Sequence, residues 1–365
     1  MPADLAGIRD ELRAVARDLL TKAGPEAAPD WRLLAEAGWL GLEVPDALGG
    51  AGASFAEVAI IAEEMGRAAS RSPYLGGIIL GAGTLGVLEP SAGRDEMLRQ
   101  AAAGTLVPAA ALAAGDAHLP APGNPPFRIS HSPRGLLLHG SATFVPDATD
   151  AGVLLLLAAD PGGTPVVVAA DPRSPGLSRT PQPVLDATRR LGLVTADAVE
   201  LSEASVWRFR GDAEDAREAV RGLLDRAAVA VACDSLGLSE AMLEATVGYV
   251  QTRHQFGRPI GSFQAVKHAC SDMLVRLRVA RELVADAVER LSITGGGDAA
   301  VAASMAKSYA CGAAVDVVGK AMQLHGGMGY TWESGIHVYL KRAALNRALF
   351  GSPAAHRRRL AARYR

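Results

Sequence analysis

RHQFGRPIGSFQ at residues 253–264 and QLHGGMGYTWE at residues 323–333 decide how the rest of this chain is read. The first closes a long run of helically spaced apolar residues. It sets out a cation (Arg253), an amide (Gln255), an aromatic ring (Phe256) and chain-turning glycines before Gln264 opens another helix. The second offers an amide (Gln323), His325 and the Gly326-Gly327 pair, which has no side chains to keep a ligand away. A guanidinium is a bidentate donor that matches phosphate oxygens. Adjacent glycines let backbone N–H groups come close to an anion. Two readings stand side by side. In one, the segments hold a phosphate-bearing cofactor. In the other, Arg253 ends a helix and the glycines make a turn.

Composition narrows the class. A chain of 365 residues can bury a large core and is expected to form two or three domains. Hydrophobic residues make up 49% and the net charge is -2, so neither nucleic acid nor an anionic membrane is an expected partner. Cys233, Cys270 and Cys311 all fall in helical patterns, at spacings that suit neither zinc nor a redox pair. Buried thiols in a reducing compartment are expected. The N-terminal segment MPADLAGIRDELR lacks the apolar core of a signal peptide. No apolar run reaches the ~20 residues that span a bilayer. A cytoplasmic location is the expectation.

Residues 3–115 read as helical, with Leu5, Ile8, Leu12, Val15 and Leu19 on one helical face. Gly38, Gly41, Pro45 and Gly49-Gly50 break the pattern, and Ser54 with Glu57 is a capping-box signal. The pattern changes from about residue 116. Pro120, Pro122, Pro125 and Pro126 mark a loop. LLLHGSATFVPDA, AGVLLLLAAD, TPVVVAAD and GLVTADAVEL then read as strands of a small, mainly antiparallel domain. From residue 212 the chain is helical again. Asp212 with Asp215 starts a helix that ends near Arg253. Further helices are expected over 264–291, 299–324 and 339–349, with TGGGD at 294–298 as a loop. The fold class is therefore α+β: an all-α domain (1–115), an antiparallel β domain (116–208) and a C-terminal four-helix bundle (209–365).

RHQFGRPIGSFQ resembles the R-x-x-F-G-x-x-I-x-x-F-Q signature of the acyl-CoA dehydrogenase family, and QLHGGMGYT resembles its Q-x-x-G-G-x-G-Y segment, in the same order. The phrase GWLGLEVP with the Gly-Gly loop after it resembles the family's N-terminal domain, and DATRRLGLV resembles the end of its middle domain. The resemblance implies FAD, an acyl-CoA thioester substrate and an electron-transfer flavoprotein as electron acceptor. Its reaction is α,β-dehydrogenation, in which a carboxylate takes the α-proton while a hydride leaves the β-carbon for the flavin. Arg253 and Phe256 would contact the pyrophosphate and adenosine half of FAD, helped by Gln255 or Gln264. Gln323, Gly326 and Gly327 would line the same path, with Tyr330 and Thr331 nearby. His325 reads as a hydrogen-bonded structural residue or, alternatively, a catalytic one. Asp186 and Arg190 read as a solvated ion pair or a functional one.

Three departures from the family pattern matter. The usual base, a glutamate in a Y-E-G-T phrase, falls on Phe350 in LFGSP. The base that a minority carries on the long helix falls on Ala227, counted from Gly237. Asp225 lies two residues away, a rotation of about 200° around a helix. The family's T-E-P-x-x-G-S-D loop has VPAAALAAGDAHLPAPG in its place. The remaining candidates for a base are Glu333 and Asp234. GYTWE resembles a subgroup that works as one partner in heteromeric (α2β2) acyl-CoA dehydrogenases of actinobacteria, associated with steroid side-chain catabolism. The leading expectation is a subunit that completes the flavin site of a second, catalytic acyl-CoA dehydrogenase-like subunit. A self-sufficient homo-oligomer using Glu333 or Asp234, and a non-catalytic structural homologue, are the alternatives. The basic tail AAHRRRLAARYR reads as a solvated helix end or a contact for coenzyme A phosphates.

Overall fold

The computed structural model describes residues 5–23, 28–113, 124–133, 135–293 and 296–363. Helix α1 (Leu5–Ala23) is followed by α2 (Trp31–Glu36), α3 (Phe55–Arg67), a π-helix (Tyr74–Ala82), the short α4 (Gly83–Gly86) and α5 (Ala92–Ala102). The capping box at α3 forms as the sequence predicts: Ser54 N–H donates to Glu57 at 2.9 Å and Ser54 Oγ accepts from Ala56 N. The π-helix is buried throughout. Its glycines explain how it fits. A Cβ on Gly81 would press on Pro108, and one on Gly76 would press on Asp147.

The sheet starts earlier than expected. Strand β1 (Pro108–Ala111) lies inside the stretch read as helical. Four small residues carry neither periodicity, and it is pairing with β4 that makes this segment a strand. Strands β2 (Phe127–Ser132), β3 (Gly135–Pro146), β4 (Val153–Ala159), β5 (Pro165–Ala170), β6 (Leu177–Pro181), β7 (Leu191–Leu201) and β8 (Val206–Arg208) follow. Their order is β6-β7-β3-β2-β4-β5-β8. The expected antiparallel domain is thus a mixed sheet: β1 and β2 run parallel to β4 and share one of its edges, and the other pairings are antiparallel. Leu154 and Leu156 of β4 join the sheet's own core, while Leu155 and Leu157 join the helical core. Burial on both faces is why this strand reads as an unbroken apolar run.

Helix α6 (Ala213–Thr252) is the axis of the C-terminal part. Asp212 and Asp215 cap it reciprocally, as the sequence predicts. Helices α7 (Gln264–Ile293), α8 (Gly296–Leu324) and α9 (Ile336–Ala348) complete the four-helix bundle, and α10 (Pro353–Ala362) is added to it. Of the TGGGD segment, Thr294 and Gly295 lie outside the described residues; Gly296–Asp298 open α8 rather than a loop. Helices α3 and α6 cross with backbones touching. A Cβ on Gly66 would overlap the Asp234 carbonyl, and one on Gly237 would overlap that of Glu63. This crossing sets the N-terminal helices against the bundle.

No helix among the described residues is long and apolar enough to cross a membrane. Cys233 and Cys311 are buried and Cys270 is half-buried, all with free thiols.

Candidate functional site

The Arg253 and Gly326 stretches meet at one end of the bundle. Tyr249, in the last turns of α6, stacks on His325 at the end of α8, with ring centroids 4.3 Å apart. Its hydroxyl donates to the His325 carbonyl at 3.3 Å. His325 Nδ1 lies 2.8 Å from the Ala321 carbonyl oxygen, so this ring is occupied structurally, as a hydrogen-bonded histidine.

Arg253 ends α6 in extended conformation, its N–H bonded to Tyr249 O. The chain then makes a two-rung hairpin, His254–Gln255 against Arg258–Pro259, turning through Phe256 (φ 53°) and Gly257 (φ 76°). A non-glycine residue in the left-handed region is uncommon and costs conformational energy. Here it holds the Phe256 ring out: the residue is 91% exposed, and its ring meets Phe263 edge-on with centroids 6.1 Å apart. The Arg253 guanidinium is exposed and has no hydrogen-bond or ion-pair partner among the described residues, nor do the Gln255 and Gln264 amides. Gln323 is exposed, and its Oε1 accepts from Lys320 Nζ at 2.9 Å. Gly326 (φ 61°) and Gly327 are exposed, with open space where a Cβ would be. Tyr330 and Trp332 beyond them are 73% and 77% exposed. The result is an outward-facing surface of exposed donors, bare backbone and aromatic rings. That donor set suits a phosphate-bearing group with an aromatic end.

The base positions hold no carboxylate. Ala227 is wholly buried. Phe350 takes the left-handed conformation (φ 54°), followed by Gly351 (φ 91°), and its carbonyl lies 2.9 Å from His356 Nε2. Burial brings the His356 imidazole down to about 4, so the ring is neutral and donates to that carbonyl. Buried Lys307 donates to the Asn346 carbonyl at 2.8 Å, at the end of α9. The turn at the usual base position is thus held on both sides. Asp225 faces α10, where Arg359 grips it with two hydrogen bonds. Part of the basic tail is thereby tied down, which the expectation of a solvated helix end missed.

Asp234 has a role that sequence reasoning did not find. Its carboxylate accepts from Arg342 Nε (2.9 Å) and Nη2 (2.5 Å), from Arg189 Nη2 (2.8 Å) and from Asn346 Nδ2 (2.6 Å). Arg342 Nη1 donates to Ser70 O (2.8 Å) and Thr188 Oγ1 (2.9 Å). This knot ties the end of α3, the turn before β7 and helices α6 and α9 together. Burial pushes the Asp234 carboxyl up, but the Arg342 and Arg189 guanidiniums outweigh it and hold it near 2. A carboxylate so held is a poor proton acceptor, which counts against Asp234 as the base. Glu333 lies in an exposed turn, and hydrogen bonding that starts with its own backbone N–H lowers its carboxyl. Neither feature raises it towards a general base's working range.

Asp186 and Arg190 do not pair. Asp186 is buried and accepts from Thr188 N and Oγ1, and Arg190 pairs with exposed Asp150. The adjacent Arg189 is the one that turns inward. The VPAAALAAGDAHLPAPG segment contributes β1, and its residues 114–123 lie outside the described residues.

The chain belongs to the acyl-CoA dehydrogenase family: residues 6–105 match the model of that family's N-terminal domain and residues 217–364 that of its C-terminal domain. The family's cofactor is FAD, and the Arg253–Gly327 surface fits its phosphates. The chain is 32% identical over 366 residues to acyl-CoA dehydrogenase IpdE2 of Mycobacterium tuberculosis, covering 96% of each protein. Among solved structures it resembles a variant of the Tcur3481-Tcur3483 steroid acyl-CoA dehydrogenase with one glycine replaced by alanine, at 29% identity and TM-score 0.85, covering 98% of this chain and 97% of the other. It also shares the fold of a chain of the ChsE4-ChsE5 complex from Mycobacterium tuberculosis, at 22% identity and TM-score 0.85, covering 97% and 96%.

Proposed function

We propose that this chain is the subunit of a heteromeric FAD-dependent acyl-CoA dehydrogenase that completes a flavin site whose catalytic base belongs to a second, related subunit. One observation carries the reading. The Arg253, Gln255 and Gln264 side chains are exposed and have no partner among the described residues, while both base positions, Ala227 and Phe350, carry only hydrocarbon. FAD, when bound, supplies the hydride acceptor for α,β-dehydrogenation of an acyl-CoA thioester. The Arg253 guanidinium would hold its pyrophosphate oxygens. The Gly326 and Gly327 N–H groups would approach the same anion. Phe256 would meet the adenosine end, and Gln255, Gln264 and Gln323 would add neutral hydrogen bonds. The α-proton is taken by a carboxylate of the partner. The likeness to a steroid acyl-CoA dehydrogenase and to a two-protein complex supports a bulky acyl group and a heteromer. Electron-transfer flavoprotein as acceptor and a cytoplasmic location belong to the same reading. So does division of the chain at residues 115 and 208.

The test is Arg253→Ala in the assembled protein. Loss of one bidentate, charge-assisted contact of about 1.5–3 kcal/mol weakens FAD retention roughly tenfold to a hundredfold. Unchanged FAD affinity would count against the site.

A further inference from the structure

The junction around Asp234 is dense with charge, yet it is not closed. Ser70 is only 4% exposed and its Oγ has no hydrogen-bond partner among the described residues. The Arg189 side chain is 8% exposed, and its Nε also lacks one among them. Both residues line a single small cavity of about 20 Å³, together with Asp234, Arg342 and the apolar side chains of Leu75 and Ile79. A buried donor left unmade costs more than an ordinary hydrogen bond returns. Native interiors satisfy such groups with protein or with ordered water. One water needs a cavity of roughly 10–15 Å³ and two to four polar partners. This cavity meets both conditions and is too small for a larger ligand. The Arg189 Nε–H donor, with Arg342 close by, excludes a metal cation.

We propose that this cavity binds a single internal water, which joins the N-terminal segment to the middle sheet. The water accepts from Arg189 Nε–H and from Ser70 Oγ–H. One of its protons faces the Asp234 carboxylate. No direct hydrogen bond joins the side chains of Ser70 and Arg189, so the water makes the link between them. Arg342 reaches the Ser70 carbonyl, and the water reaches the Ser70 hydroxyl. The two contacts together pin Ser70, just beyond the end of α3.

A high-resolution crystal structure of the wild-type protein tests this, with Ser70→Val as the companion variant. The expected result is a well-ordered density peak within hydrogen-bonding distance of Ser70 Oγ and Arg189 Nε. Ser70→Val, whose second methyl group fills the space, is expected to lose the peak. Bromide soaking is expected to give no anomalous signal there. A dry cavity in the wild type would overturn the proposal. So would a direct Ser70–Arg189 contact that closes it, or an anomalous bromide peak that makes the occupant an anion. The wild-type map decides even if Ser70→Val fails to fold.

Discussion

Replacing Asp234 by alanine removes the one carboxylate that two buried guanidiniums share. Arg342 loses two short hydrogen bonds to it, Arg189 loses one and Asn346 loses one. Both arginines stay buried: Arg342 is 2% exposed and the Arg189 side chain 8%. Only Asp186, which makes no hydrogen bond to either, then remains as a buried carboxylate acting on both, and breaking a buried pair in this way costs about 3–5 kcal/mol. At 1.4 kcal/mol per factor of ten, the folded-to-unfolded ratio falls by roughly two to more than three powers of ten. With a urea m-value of about 3–4 kcal/mol/M, the midpoint moves down by about 1 M. Urea unfolding followed by far-UV circular dichroism measures the shift. Combining Asp234→Ala with Arg342→Met should recover part of the loss, since it deletes one stranded charge. A change under about 0.5 kcal/mol, as at a surface site, would refute the keystone role. Lost activity at unchanged stability would make Asp234 a candidate base again.

Three further perturbations follow from the same geometry. Gly237→Ala should give a poorly soluble protein, destabilised by at least about 3 kcal/mol, because the methyl overlaps the Glu63 carbonyl where α3 and α6 touch; soluble yield and denaturant midpoint report it. Asp147 is pushed up to about 7 by burial, against the hydrogen bond from Gly76 N–H and the charges of Arg189 and Arg190. Its folded value lies above its unfolded one near 3.8, so the stability it gives is full below pH 4 and is lost as pH rises to about 7, up to about 4 kcal/mol. Asp147→Asn keeps an acceptor for Gly76 and should flatten that slope in melts run from pH 4 to 8. Arg359→Ala leaves buried Asp225 unpaired and should free α10, read as faster amide exchange over residues 353–362.

The sequence carried what is local. Caps at Ser54 and Asp212 are short-range signals, and they form as read. The Arg253 and Gly326 phrases are contiguous, and the structure sets both out on the surface around Tyr249 and His325. What stayed hidden is long-range. The partners of Asp234 lie 45, 108 and 112 residues away, and no spacing rule links them. Arg189 and Arg190 are neighbours in the chain, and only the packing of the turn before β7 decides which one points inward. Strand β1 is four small residues that become a strand by lying along β4. The run of leucines in β4 was legible as a strand, but its two buried faces showed only once the helices were in place.

A flavin site that this chain half-builds is the central claim. The direct measurement is the visible spectrum and native mass of the purified chain, alone and co-expressed with a base-carrying subunit of the same family. Flavin absorbance that appears only with a stable heteromer, and falls with Arg253→Ala, is the predicted result. A yellow, active homo-oligomer of this chain alone would contradict it.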